Sequence, residues 1–105
     1  MAIREADIQA QIMMALSEAG CLIFRNNCGV LPDRRGIPVR FGVGGNGGSD
    51  LLGICPDGKF LSVEVKTALG QPTDAQLHFI AAVIARGGRA GIARCAQDAL
   101  KIALD

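Results

Sequence analysis

Ser49-Asp50-Leu51-Leu52-Gly53-Ile54-Cys55-Pro56-Asp57-Gly58-Lys59-Phe60-Leu61-Ser62-Val63-Glu64-Val65-Lys66 is the stretch on which the fold turns. Its centre, Pro56-Asp57-Gly58-Lys59, has turn chemistry: proline and aspartate set a bend, and glycine accepts positive φ. The apolar runs on either side, 49–55 and 60–66, therefore predict the two strands of a hairpin. Folding that hairpin about Asp57 and Gly58 sets Asp50 opposite position 64 or 65. Asp50 and Glu64 thus come out side by side, not at opposite ends. Adjacent carboxylates repel unless a cation sits between them. A hard divalent ion such as Mg²⁺, which takes one or two carboxylates plus water and phosphate oxygens, suits such a pair.

Glu64 and Lys66 are two apart on a strand and share a face, while Val65 points the other way, into the core. By itself Glu64-Val65-Lys66 is also what an ordinary amphipathic strand looks like, with a surface ion pair worth under about 1 kcal/mol. Asp50 across the hairpin, and the glycine-rich run before it, turn the weight toward a site.

Working outward, Ile3, Ile8, Ile12, Met13 and Leu16 recur at helical spacing and Gly20 follows as a stop, which predicts a helix over 3–19. Residues 21–26 read as a strand. Residues 28–36, with Gly29, Pro32, Asp33 and Gly36, read as a loop, and 37–43 as another strand that the glycine run breaks. Beyond Lys66, Gly70 and Pro72 end the strand region. Thr73 and Gln76 have the form of a capping box, so a second helix begins there and runs through Ala85 to a stop at Gly87-Gly88. A strand over 90–95 and a helix over 96–104 complete the chain. The order is read as α-β-β-β-α-β-α, an α/β fold with a mixed central sheet flanked by helices, in one domain spanning 1–105.

The totals exclude more than they assert. Half of the 105 residues are hydrophobic, so a packed core is expected. Phe24, Phe41, Phe60 and Phe79 are the only aromatics, too few for a base-stacking platform. The net charge of +1 names no partner, but between positions 25 and 40 four arginines (Arg25, Arg34, Arg35, Arg40) stand against Asp33 alone. Such a stretch meets phosphates or is simply a solvated loop. Cys21, Cys28, Cys55 and Cys95 show no C-x-x-C spacing, which speaks against a zinc cluster. His78, the only histidine, has no ligand at metal spacing and receives no role. No Gly-Lys-Ser/Thr ending marks the glycine run as a P-loop, so no nucleotide cofactor is expected. With no signal peptide or membrane span to be read, the expected setting is cytoplasmic, in a bacterial or phage-infected cell, and away from the membrane.

The pattern resembles the PD-(D/E)xK nuclease superfamily, whose restriction-endonuclease-like αβββαβ core and acidic signature match this order and Asp50…Glu64-Val65-Lys66. More narrowly, Gly47-Gly48-Ser49-Asp50-Leu51-Leu52-Gly53 before Glu64-Val65-Lys66 looks like the virus-type replication-repair nuclease (VRR-NUC) domain, a likeness covering nearly the whole chain. Ser49 departs from it, standing where the signature has proline. A Pro-Asp pair does occur at Pro56-Asp57, but at the hairpin tip, where it reads as turn chemistry.

The resemblance implies that Asp50 and Glu64 bind Mg²⁺ or Mn²⁺ together with the backbone carbonyl of Val65. The ion would polarise the scissile phosphate and help generate the attacking hydroxide, and Lys66 would orient water or stabilise charge. Glu5 matches an acid that related nucleases add to the metal site; its alternative is a favourable charge at a helix N-terminus. Gln76 matches a glutamine that follows the motif, or it only caps Thr73. Gln9 shares the face of Glu5, as a weaker candidate or a solvated polar residue. The run 42–48, with Gly47 and Gly48 nearest Asp50, either lets DNA approach the backbone or is a flexible connection. Arg25, Arg34, Arg35 and Arg40 are the phosphate-contact candidates, Arg40 foremost.

Residues 79–85 are seven apolar residues in a row, and a helix apolar all round needs covering on every side. The sheet covers one side, and either the terminal helix or a symmetric partner covers the other; the expectation is a homodimer. Small dimeric relatives, including archaeal Holliday-junction resolvases, cut branched DNA with paired sites. The resemblance thus implies a metal-dependent, structure-specific DNA endonuclease acting on four-way junctions. A non-catalytic DNA-binding or assembly module on the same fold, a restriction-type sequence-specific endonuclease and a chance motif in an unrelated α/β protein stand as alternatives.

Overall fold

The computed structural model describes residues 3–105. Helix α1 (Glu5–Glu18) buries Ile8, Ile12 and Leu16, one residue per turn. Gly20, at φ 94°, ends it in the left-handed conformation that glycine takes without steric cost. Four strands then build one sheet: β1 (Leu22–Arg25), β4 (Leu51–Ile54), β5 (Phe60–Val65) and β6 (Arg89–Ala93), in the order β1-β4-β5-β6. The first three are antiparallel, and β6 joins β5 in parallel after the crossover helix α2 (Asp74–Ala85). Helix α3 (Ala96–Leu104) closes the chain.

Side-chain alternation divides the sheet. Leu51, Leu61, Val63 and Val65 turn toward α1 and α3 and make the core with Ile12, Leu16, Ala99 and Ala103. Leu52, Ser62 and Glu64 turn to the opposite face, where α2 packs on β5 and β6 through Ile80. The αβββαβ core expected from sequence is present, as a mixed sheet between helices.

One segment differs from expectation. The sequence places four strands before the second helix, one more than that order holds, and treats 28–36 as loop. Residues 28–36 in fact contain β2 (Gly29–Pro32), which pairs antiparallel with β3 (Pro38–Phe41) as a separate two-stranded ribbon outside the central sheet. Of the residues that signal a loop, Asp33 and Gly36 form the tip of that hairpin, while Gly29 and Pro32 lie on β2. The Asp33 carboxylate accepts the N–H groups of Arg35 and Ile37 at 2.8 and 3.0 Å, and Gly36 turns at φ 80°. Gly29 lies beneath a ring: a Cβ there would come within 2.6 Å of the outer edge of Phe41, which would have to shift. Among the described residues no helix is long and apolar enough to cross a membrane.

Candidate active site

Leu51 lies opposite Val63 and Ile54 opposite Phe60, so the register carries on to Asp50 opposite Glu64. One Asp50 oxygen, Oδ2, accepts the N–H of Val65 at 2.9 Å, which pins the aspartate across the hairpin. Glu64 is only 2% exposed. Its Oε2 accepts from the Gln76 amide at 2.9 Å and lies 3.9 Å from Lys66 Nζ. Its Oε1 is buried and, among the described residues, has no hydrogen-bond partner. A surface ion pair is therefore not what Glu64 and Lys66 make, since their side chains are 3% and 17% exposed.

Burial, and after it the neighbouring Asp50 carboxylate, push the Glu64 carboxyl up to about 8, with Lys66 opposing only in part. Burial and the neighbouring carboxylate thus favour the protonated form of Glu64. This arrangement fits a hard cation. The donors are oxygens, one of them is an unfilled buried acceptor, and a positive ion is what would let both carboxylates ionise together.

Gln76 makes the cap that was one of its two sequence readings, and it also touches Glu64. Its Oε1 accepts the Thr73 N–H at 2.9 Å, and its own N–H donates to Thr73 Oγ1, so it completes the capping box of α2. Its Nε2 meanwhile holds Glu64. The helix cap and the acid are linked through one side chain.

Not every expected residue arrives at this point. Glu5 is exposed in the first turn of α1. Among the described residues no three His, Cys, Asp or Glu side chains gather as a metal cluster, so Glu5 does not join Asp50 and Glu64 here. Gln9 is half-buried on the same helix. Of the glycine run expected near DNA, Gly42 and Gly44 are exposed, whereas Gly47 and Gly48 pack against neighbouring backbone. Gly47 is buried, and a Cβ on it would lie 2.1 Å from the Ala75 carbonyl oxygen; on Gly48 it would lie 2.0 Å from that of Val43. These glycines let the turn lie against the start of α2. Arg25 ends β1, Arg34 and Arg35 sit on the ribbon tip, and Arg40 lies on β3, so Arg40 is on the ribbon and not on a strand of the central sheet. All four are exposed. Asp57 does serve its turn, accepting from Lys59 N–H, and it also binds Arg89 at 3.1 Å.

Three positions that the sequence did not single out hold the site in place. Asn26 ties the ribbon root to the aspartate: its N–H donates to the Asp50 carbonyl, its amide NH₂ donates to the carbonyls of Val43 and Ser49, and its Oδ1 accepts the Val43 N–H. Arg94 Nη1 donates to the carbonyls of Thr67 and Gly70, both at 2.6 Å, and so fixes the segment between Lys66 and Thr73. Neither contact leaves a trace in local sequence, since the partners lie 17 to 27 positions away. Ser62 was findable. It stands two before Glu64 on the same face, and its buried hydroxyl donates to Ser49 at 2.6 Å. Ser49, the departure from the signature, is thereby satisfied by its own partner. A cavity of about 470 Å³ beside Leu69, Arg94 and Cys95 contains neither acid and is not this site.

No family model matches the sequence, and no curated protein matches it. A solved structure of a VRR_NUC domain is similar to it with a TM-score of 0.63 at 23% identity, covering 93% of this chain and 91% of that one. The chain has the VRR-NUC fold, a nuclease-type fold.

Proposed function

We propose that this chain, with its VRR-NUC fold, is a metal-dependent endonuclease that hydrolyses phosphodiester bonds in DNA. The observation that carries the reading is the Asp50–Glu64 pair, set side by side across the hairpin with a buried, unpartnered Glu64 Oε1. Asp50 and Glu64, with the Val65 carbonyl, would hold Mg²⁺ or Mn²⁺. When bound, such an ion supplies Lewis-acid polarisation of the phosphodiester. The chain's own groups do the rest. Gln76 keeps the Glu64 carboxylate aimed by holding Oε2 and leaving Oε1 free. Val65 N–H keeps Asp50 in place. Lys66, largely buried beside Glu64, places a positive charge where negative charge builds on the phosphoryl oxygens. Glu5, exposed in the first turn of α1, is the acid the resemblance would add to the metal site.

DNA is the substrate this reading calls for, with Arg25, Arg34, Arg35 and Arg40 as phosphate contacts. Helix α2 leaves Leu77 and Ile84 exposed at 44% and 53%, which supports pairing of two copies and, through two fixed sites, a preference for four-way junctions. A cytoplasmic setting in a bacterial or phage-infected cell goes with that role. The test is cleavage of labelled four-way, flap and linear DNA with Mg²⁺ and with Mn²⁺, using E64A as control, alongside sedimentation at micromolar concentration. Cleavage by the natural chain alone, faster on junctions, is expected from a dimer. Binding without cleavage under both ions would replace the enzyme by a non-catalytic DNA-binding module. Equal rates on junction and linear duplex, or a monomer, would remove the junction preference.

A further inference from the structure

Two thiols that take no part in the acidic site face each other across the sheet. Leu22 pairs with Ile54, and one step further the same register sets Cys21 against Cys55. The chain does stay together there, because a Cβ on Gly20 would lie 3.5 Å from the Pro56 ring. The hydrogen-bond pattern fixes the kind of pair. On β4 the Asp50 carbonyl turns to β1, where it meets Asn26, whereas the Cys55 N–H turns to Lys59. Peptide groups alternate along a strand, so 50, 52 and 54 bond to β1 and 55 does not. Cys21 and Cys55 therefore occupy a non-hydrogen-bonded position, where opposed Cα atoms come to about 4.5 Å and side chains approach most closely. A disulfide spans Cα separations from roughly 4.4 to 6.8 Å. Both side chains point into the core under α1, at 7% and 3% exposure, and both are free thiols.

We propose that Cys21 and Cys55 are a modification site, a cross-strand dithiol that closes to an intramolecular disulfide. The oxidant is a small disulfide such as oxidised glutathione. One cysteine thiolate attacks it, forming a mixed disulfide and releasing one glutathione thiolate. The second cysteine thiolate then attacks the cysteine sulfur of that mixed disulfide, forming the Cys21–Cys55 bond and releasing the other glutathione thiolate. Two protons and two electrons leave the protein, and the oxidant is reduced to two thiols. Burial, and after it the charge of the other thiol, raise Cys55, while burial raises Cys21. Closure is accordingly slow in the native protein and faster toward alkaline pH. The bond would tie the exit of α1 to the turn end of the β4–β5 hairpin, five residues along β4 from Asp50, on the order of 16 Å away. It encloses β1, the ribbon and β4 in one covalent loop, so its effect falls on stability and not on the acids.

The experiment uses C28S/C95S protein, which lacks the two exposed thiols, equilibrated in glutathione buffers of increasing oxidised fraction at pH 8. Alkylation after unfolding, with peptide mapping, reports the link. A 21–55 disulfide with the loss of two hydrogens and no mixed adduct is expected, together with a melting temperature raised by roughly 10 °C or more over the reduced form. C55S in the same background should show neither. Two alkylatable thiols in the most oxidising buffer, or glutathione adducts and cross-linked chains in place of the internal bond, would overturn the proposal.

Discussion

The molecule contains two hairpins of the same design and opposite fate. Both turn on aspartate followed by glycine, Asp57-Gly58 in one and Asp33 to Gly36 in the other, and in both the aspartate side chain accepts backbone N–H groups of its own turn. Yet β4–β5 is buried along nearly its whole length, while no residue of β2–β3 is buried. A two-stranded ribbon alone in water is marginal. The difference is that one hairpin is held by what packs on it, and the other by its tip and by Asn26 at its root. The buried one can keep two acids together against their repulsion. The free one leaves its side chains to solvent, Arg34, Arg35 and Arg40 among them.

That contrast can be broken by experiment. The largest effect is expected from D50N or E64Q, each lowering cleavage by about 10³-fold or more through loss of the ion while the far-ultraviolet spectrum stays native. Retained cleavage would move the chemistry elsewhere.

Next comes acid–base linkage. Because Glu64 is held up at about 8 in the folded protein and near 4.5 when exposed, the native state holds the extra proton between those values. Its contribution to stability is therefore fully present below about 4.5 and is lost as pH rises through 8, a change of the order of a few kcal/mol. Urea unfolding without divalent ions should show this decline, and E64Q should flatten it. Addition of Mg²⁺ should reverse it, with proton release below pH 8.

A smaller effect belongs to the ribbon. R34A/R35A/R40A should weaken DNA binding about 10- to 100-fold and lower the slope of log affinity against log salt by roughly 2 to 3, with the melting temperature almost unmoved. Unchanged affinity would leave the ribbon without its partner. The smallest is T73A, which removes one cap acceptor and should cost about 1 kcal/mol in denaturant unfolding, because Gln76 keeps its bond to Glu64.

What was legible in the sequence follows the same divide. The β4–β5 hairpin, the opposition of Asp50 and Glu64, the capping box at Thr73 and the helix stop at Gly20 are all set by local patterns, alternation and turn chemistry, and each is found in place. The ribbon was hidden because Gly29 and Pro32 count as strand breakers by composition. In the structure one makes room for a ring and the other sits on an edge where no partner needs its N–H. The glycine run has a related ambiguity: composition shows that a backbone comes close to something, but not that the neighbour of Gly47 is Ala75. Asn26 and Arg94 were out of reach, since their partners are remote in sequence. The exposure of Glu5 was equally so, because its place depends on how α1 lies against the sheet.

Arg94 has a bearing on how this chain can diverge. Its guanidinium spans the carbonyls from Thr67 to Gly70, the link between Lys66, just past β5, and the helix that begins with Gln76's cap. Backbone carbonyls are the same whatever side chains they carry, and Leu69 within that link is 89% exposed. Lineages of this protein should therefore vary freely in the letters of this link but scarcely in its length, since an added or deleted residue would change the spacing between Lys66 and Gln76 that the arginine measures out.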